Sequence, residues 1–148
     1  SLADQRIGNH PLYNDRELKH MQNVHDVYQI AGQVWFLSII LITLSGLALF
    51  RQRESRTGLA SALQLGGLLT SGLIVIVGFL AIVFWQKWFV VFHQVFFLPG
   101  TWSFNTSDTL IRLFPEMFWF DAALTLSGLT LAGGLLLAFT GWWLKLKQ

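Results

Sequence analysis

The side chains in this chain best suited to move a proton near neutral pH are its four histidines, His10, His20, His25 and His93. His20 and His25 are five residues apart, about 140° around a helix of ~3.6 residues per turn, so they do not share a face. At most one of them can turn toward His93 on a straight helix. Glu17 and Asn23 stand three residues either side of His20, and each could hold a ring nitrogen and set the tautomer. Taken alone, His20 and His25 are equally two surface histidines on a solvated helix. His93 is set among Phe89, Val90, Phe96 and Phe97. Desolvation there favours the neutral imidazole, the form a general base needs. Its plainer reading is an interfacial histidine capped by a carbonyl or a lipid phosphate.

The charged candidates lie further on. Asp108, Arg112 and Glu116 recur at four-residue intervals, the spacing of paired charges on one helix face. Pro115 interrupts that helix, so Asp108 with Arg112 is the expected pair. It is a structural salt bridge, or else Arg112 offers its planar fork to a phosphate or a developing oxyanion. Asp121 is the one acid inside an apolar run. Intramembrane acids are functional candidates by default, a carboxylate reaching back to the interface being the alternative. Several chemistries are excluded. No G-x-S-x-G is present and no Ser adjoins a His, which argues against an acyl-enzyme on serine. Absence of H-E-x-x-H argues against a zinc protease, and absence of cysteine removes thiolate sites and disulfides. No metal and no cofactor is expected. A b-type haem is disfavoured because the histidines fall outside the apolar cores.

These residues must be positioned by helices. Residues 1–14 read as a loop with Gly8 and Pro11. Asn14 caps a helix start, and Glu17 three residues on returns the hydrogen bond. That helix, residues 15–50, begins with a polar extension carrying His20 and His25. It continues as an apolar span, Ile30 to Phe50, of the ~20 residues needed to cross ~30 Å of hydrocarbon. Residues 51–58 form a loop with Arg51, Arg53 and Arg56. Residues 59–98 read as a second span running into an interfacial segment, with Gly66, Gly67, Gly72 and Gly78 as small residues for close helix approach. Residues 99–114 form a second loop, after the break at Pro99-Gly100. Residues 115–148 hold the last span, opened by Pro115 and closed by Trp142, Trp143, Lys145 and Lys147.

Composition agrees with an all-α integral membrane protein of three transmembrane helices. Of 148 residues, 53% are hydrophobic and 12% charged, against ~25% charged in soluble domains. Mean hydropathy is +0.53. The net charge of +2 is scattered over helix ends with no basic stripe, so nucleic-acid binding is not expected. Basic residues are densest in the Arg51–Arg56 loop and at the C-terminus, which puts both in the cytoplasm and all four histidines on the outer side. Residues 1–14 and 99–114 are then extracytoplasmic.

The string His20-Met21-Gln22-Asn23-Val24, then Phe92-His93-Gln94-Val95-Phe96-Phe97, Gly100-Thr101-Trp102-Ser103-Phe104, Asp108-Thr109-Leu110-Ile111 and Leu113-Phe114-Pro115-Glu116-Met117-Phe118-Trp119 resembles the bacterial lipoprotein intramolecular transacylase family, Lit. The resemblance covers about residues 16–123 and then the last span by position. It implies a four-helix membrane bundle with an extracytoplasmic active site, hence a first helix upstream of Ser1. It also implies movement of the sn-2 acyl chain of a diacylglyceryl lipoprotein onto the α-amino group of its N-terminal cysteine. The expected partners are that lipoprotein and membrane lipid, in a bacterial cytoplasmic membrane. His20 and His93 are the implied catalytic pair, with Met21, Phe97 and Trp102 as substrate or lipid contacts. Asn23 stands where the family pattern has an acid, which keeps His25 open as an alternative to His20. Asp108, Arg112, Glu116 and Asp121 are supporting candidates. The rival function is a non-catalytic membrane protein that binds a partner through the aromatic outer segment.

Overall fold

The computed structural model describes residues 2–51 and 56–147. It is helical, with a 3-10 turn at Leu2–Asp4 and a two-stranded antiparallel ribbon, β1 (Arg6–Ile7) with β2 (His10–Pro11), ahead of the first helix. The helices are α1 (Asp15–Arg51), α2 (Arg56–Val83), α3 (Trp85–Phe96), α4 (Thr109–Leu113) and α5 (Glu116–Leu146). Of these, α1, α2 and α5 are long and apolar enough to cross a membrane. The chain divides into two compact units. One combines Ser1–Gln33 with Phe84–Ala122, and the other Val34–Val83 with Ala123–Gln148.

Three boundaries differ from the sequence reading, each for a local reason. The stretch read as loop over residues 1–14 contains a hairpin at residues 6–11, because Gly8 takes φ +61° and turns the chain between β1 and β2. The apolar stretch of residues 59–98 is two helices, since Phe84 at φ −119°, ψ 36° leaves the helical region and α3 restarts at Trp85. Hydropathy runs straight through that point and so cannot reveal it. Residues 99–114 contain α4, a single turn whose carbonyl and amide groups bond locally. Arg53 and Glu54 lie outside the described residues, as does the side chain of Arg56.

In the unit of residues 34–83 and 123–148, α2 and α5 meet along a seam of small residues. Ala60, Gln64, Gly67 and Ser71 line it from α2, and Gly134, Ala138 and Gly141 from α5. A Cβ placed on Gly67 would overlap the backbone of Ala138 and Gly134. One on Gly141 would overlap Gln64 and Ala60. Only hydrogen fits at either position, and the helices approach as closely as backbones allow. Gly66 and Gly72 face open space, and Gly78 makes only ordinary contact with Ser127, so of the four glycines singled out by sequence Gly67 alone belongs to the seam. The outward side chains are apolar. Ile42 is 72% exposed and Leu69 73%, far more than water tolerates over so long a surface. Near the end of α5, Lys147 Nζ sits 3.7 Å from the Trp143 ring centroid.

Candidate active site

The other unit holds the chemistry. The capping box forms as the sequence suggests: Asn14 N–H donates to Glu17 Oε2 at 2.7 Å, and Glu17 N–H to Asn14 Oδ1 at 3.0 Å. Glu17 does more than close its own helix. At 1% exposure it also accepts from Leu110 N–H through Oε1 at 2.7 Å. Asp108, the N-cap residue of α4, makes no side-chain cap bond, so Glu17 caps α4 from across the fold. One carboxylate thereby serves the N-termini of two helices and ties the segment before α4 to the first turn of α1. Thr109 Oγ1 donates to Leu12 O at 2.6 Å and adds a second tie.

One turn beyond Glu17 stands His20, only 7% exposed. His93 arrives from the last turn of α3. The two rings lie 6.0 Å apart between centroids and within 20° of parallel. Aromatic rings enclose them. Phe97 presents its edge to His20 at 4.9 Å and lies 5.5 Å from His93. Phe104 packs on His20 at 5.3 Å, while Trp102 and Phe89 pack on His93 at 4.9 and 4.1 Å.

This enclosure sets the electrostatics. Burial holds the His20 pKa below its ordinary value, and the nearby His93 pushes the same way. Burial also lowers that of His93, and its bond to the Phe89 carbonyl opposes this without prevailing. Both rings are therefore neutral at pH 7. His93 Nδ1 lies 2.7 Å from Phe89 O, an acceptor, so Nδ1 carries the proton and donates it. The lone pair is left on Nε2. Two buried polar atoms here lack a partner, His20 Nδ1 and Trp102 Nε1. A buried polar atom left unpaired costs about 1–3 kcal/mol.

Several expected contacts are replaced by others. Neither Glu17 nor Asn23 holds the His20 ring: Glu17 is occupied by backbone amides, and Asn23 lines an adjacent cavity. His25 is exposed and hydrogen-bonded to Gln29 at 2.8 Å, so it is His20 that meets His93. The pairing of Asp108 with Arg112 does not form. Asp108 receives Arg16 Nη2 at 3.3 Å, Asn14 Nδ2 at 3.3 Å and Asn105 N–H at 2.8 Å. Asp108 precedes a one-turn helix in extended conformation, so the four-residue spacing no longer stacks the two side chains. Arg112 is exposed at the end of α4. Glu116 accepts from Gln86 Nε2 at 2.7 Å, Asp121 is exposed on α5, and Met21 is half-buried beside His20 in sequence. Among the described residues no His, Cys, Asp and Glu cluster could hold a metal ion.

Sequence reasoning passed over Phe104 and Arg16 as site residues. Arg16 lies 5.4 Å over the Phe104 ring while bound to Asp108, so it holds down the ring that covers His20. The signal was the Asn14–Glu17 cap itself, which fixes where Arg16 points.

No solved structure matches the chain. A relative from Aquifex aeolicus (strain VF5), described as "Uncharacterized protein", is 37% identical over 130 residues. Those cover 87% of this chain, which spans 56% of that relative's length. The family model described as lipoprotein intramolecular transacylase Lit matches residues 5–119, a stretch that includes both imidazoles, the rings around them and the Glu17 double cap. On that match the chain belongs to the lipoprotein intramolecular transacylase family, Lit.

Proposed function

We propose that this chain carries the catalytic centre of a membrane transacylase. It moves the sn-2 acyl chain of a diacylglyceryl lipoprotein to the α-amino group of the lipoprotein's N-terminal cysteine, and the product is the lyso form. The observation that carries this reading is the near-parallel pair of desolvated imidazoles, 6.0 Å apart, with the tautomer of His93 set by the Phe89 carbonyl. Donor ester and acceptor amine are in one molecule, so the entropic cost of bringing them together is largely met and no enzyme nucleophile is required. His93 Nε2 removes a proton from the ammonium. The amine then attacks the ester carbonyl, a C–N bond forms, and charge develops on the carbonyl oxygen. As the bond to the glyceryl 2-oxygen breaks, the attacking nitrogen gives up its second proton; of the two protons lost by nitrogen, one passes through the His20–His93 pair to that oxygen and the other leaves to solvent. Trp102 N–H, buried and unpartnered in the free protein, is the donor that gains a partner as the oxyanion forms, and His20 joins it in the tautomer that carries its proton on Nδ1. Phe97 and Trp102 wall the reacting atoms from water.

Three apolar helices, and in the sequence the short basic segments that hold Arg51 and then Lys145 with Lys147, support a bacterial cytoplasmic membrane with the imidazoles on its outer face. The test is mass spectrometry of a lipoprotein N-terminal peptide from cells with and without the full-length protein. Acyl transfer to the amine, without loss of mass, is expected only when it is present. His93→Ala and His20→Ala should each lower product at least ~100-fold, the scale of general acid–base catalysis, while leaving the protein in the membrane. Near-normal product from His93→Ala would remove the mechanism.

A further inference from the structure

One carboxylate on α1, Asp26, six residues beyond His20, has no part in the chemistry above. A cavity of about 200 Å³ adjoins the pair and shares Phe97 with it. One wall is α1, where Asn23, Val27 and Ile30 follow His20 at intervals of three, seven and ten residues, a single helix face. The other is the end of α3 and the residues after it, Phe96 to Leu98. Of the lining residues only Asp26 is charged. Its Oδ1 accepts from the neutral amide of Gln22 at 2.9 Å. The acids nearby are otherwise engaged: Glu17 by two backbone amides, Asp108 by Arg16. Among the described residues Asp26 therefore has no cationic partner, and the cavity joins its exposed carboxylate to an apolar wall. Neither imidazole lines it; it runs from Phe97, which packs on both rings, along α1 to Ile30, where the apolar run of that helix begins.

We propose that this cavity is the subsite for the amine end of the substrate. Asp26 receives the primary ammonium, and Val27, Ile30 and Phe96 receive the methylenes of the acyl chain beside it. The inference rests on the transacylase reading and names the substrate contacts that reading leaves open. An α-amino group of pKa ~7.7–8.0 arrives mostly cationic at pH 7 and needs a counter-charge before it gives up its proton. The volume falls below the ~300–1,000 Å³ of sites that enclose a whole drug-sized ligand. It suits a head group and the first stretch of one chain.

Binding without turnover tests this. The protein in detergent is titrated with an ether-linked dihexadecylglyceryl-cysteine peptide, whose chains cannot transfer, bearing a free α-amine, and with its N-acetylated twin, followed by tryptophan fluorescence. At pH 6.5 the free amine should bind about tenfold tighter, the scale of one charge-assisted hydrogen bond. In Asp26→Asn that preference should vanish while the N-acetyl peptide binds as before. Above pH 9, where the amine is neutral, the wild-type preference should shrink toward one. His25, the neighbour of Asp26 on α1, is hydrogen-bonded to Gln29, and His25→Gln is the control that separates its charge from that of Asp26. Val27→Trp, which fills the apolar part, should weaken both peptides equally. Equal binding of the two peptides by wild type, an unchanged preference in Asp26→Asn, or loss of both peptides in that variant would overturn the proposal. So would unaltered binding by Val27→Trp. A wild-type preference for the amine with no acyl transfer in cells would instead sink the transacylase reading and leave the subsite standing.

Discussion

His93 and His20 are neutral because they are buried, and that has consequences for pH. The ordinary histidine value is 6.5, and both pKa values lie below it in the folded protein. Well above pH 6.5, from about pH 7.5 upward, neither ring binds an appreciable proton in either state, so neither contributes a pH slope to stability. Below it the unfolded chain takes up protons that the folded one refuses, and stability falls until the folded pKa values are passed. Thermal melts should therefore show stability declining from about pH 6.5 downward, with a shallower decline in the His20→Ala/His93→Ala double variant. The histidine-dependent acid limb of kcat/KM, which reports the free protein, should likewise have its midpoint below 6.5, measured by product formation across pH. That His93 would be desolvated was readable from its aromatic neighbours in the sequence. Its tautomer was not, because that depends on the carbonyl four residues earlier lying within hydrogen-bond reach, a product of helix geometry at the end of α3.

At the scale of elements, Glu17 decides how the segment before α4 meets α1. Its carboxylate serves Asn14 N–H and Leu110 N–H together, and removing it leaves two part-buried donors without that acceptor. Glu17→Ala should cost about 2–4 kcal/mol, from two lost caps at ~1–2 kcal/mol each. It should also lower activity, because Trp102 and Phe104 lie on the segment it anchors. Glu17→Gln keeps an acceptor oxygen and should restore part of both, as denaturant melts and product assays would show. Asp108→Asn should matter less, at about 1 kcal/mol or below, since the Arg16 pair is partly solvated. The first half of this arrangement was legible: the S/T/N-x-x-E spacing gave the cap. The second half joins residues 93 apart in the chain, and no local pattern encodes that.

For the whole molecule, the small-residue seam of α2 and α5 predicts a sharp contrast between neighbours. Gly67→Ala drives a Cβ into the α5 backbone and should destabilise by about 1–3 kcal/mol. Gly66→Ala meets nothing and should be neutral or slightly stabilising through helix propensity, both read from thermal melts in detergent. The sequence by itself determined the apolar spans, the first helix start and the histidines worth watching, because hydropathy, capping and side-chain chemistry are local properties. It also carried the family, because the residues around the two imidazoles form a long ordered string. Only the tertiary structure decided that His20 rather than His25 faces His93, that Asp108 turns to Arg16, and that the second apolar run breaks at Phe84. Each of those outcomes depends on which distant side chain reaches a group first. A one-dimensional pattern fixes what a residue can do, and the contacts closing over long loops fix what it meets.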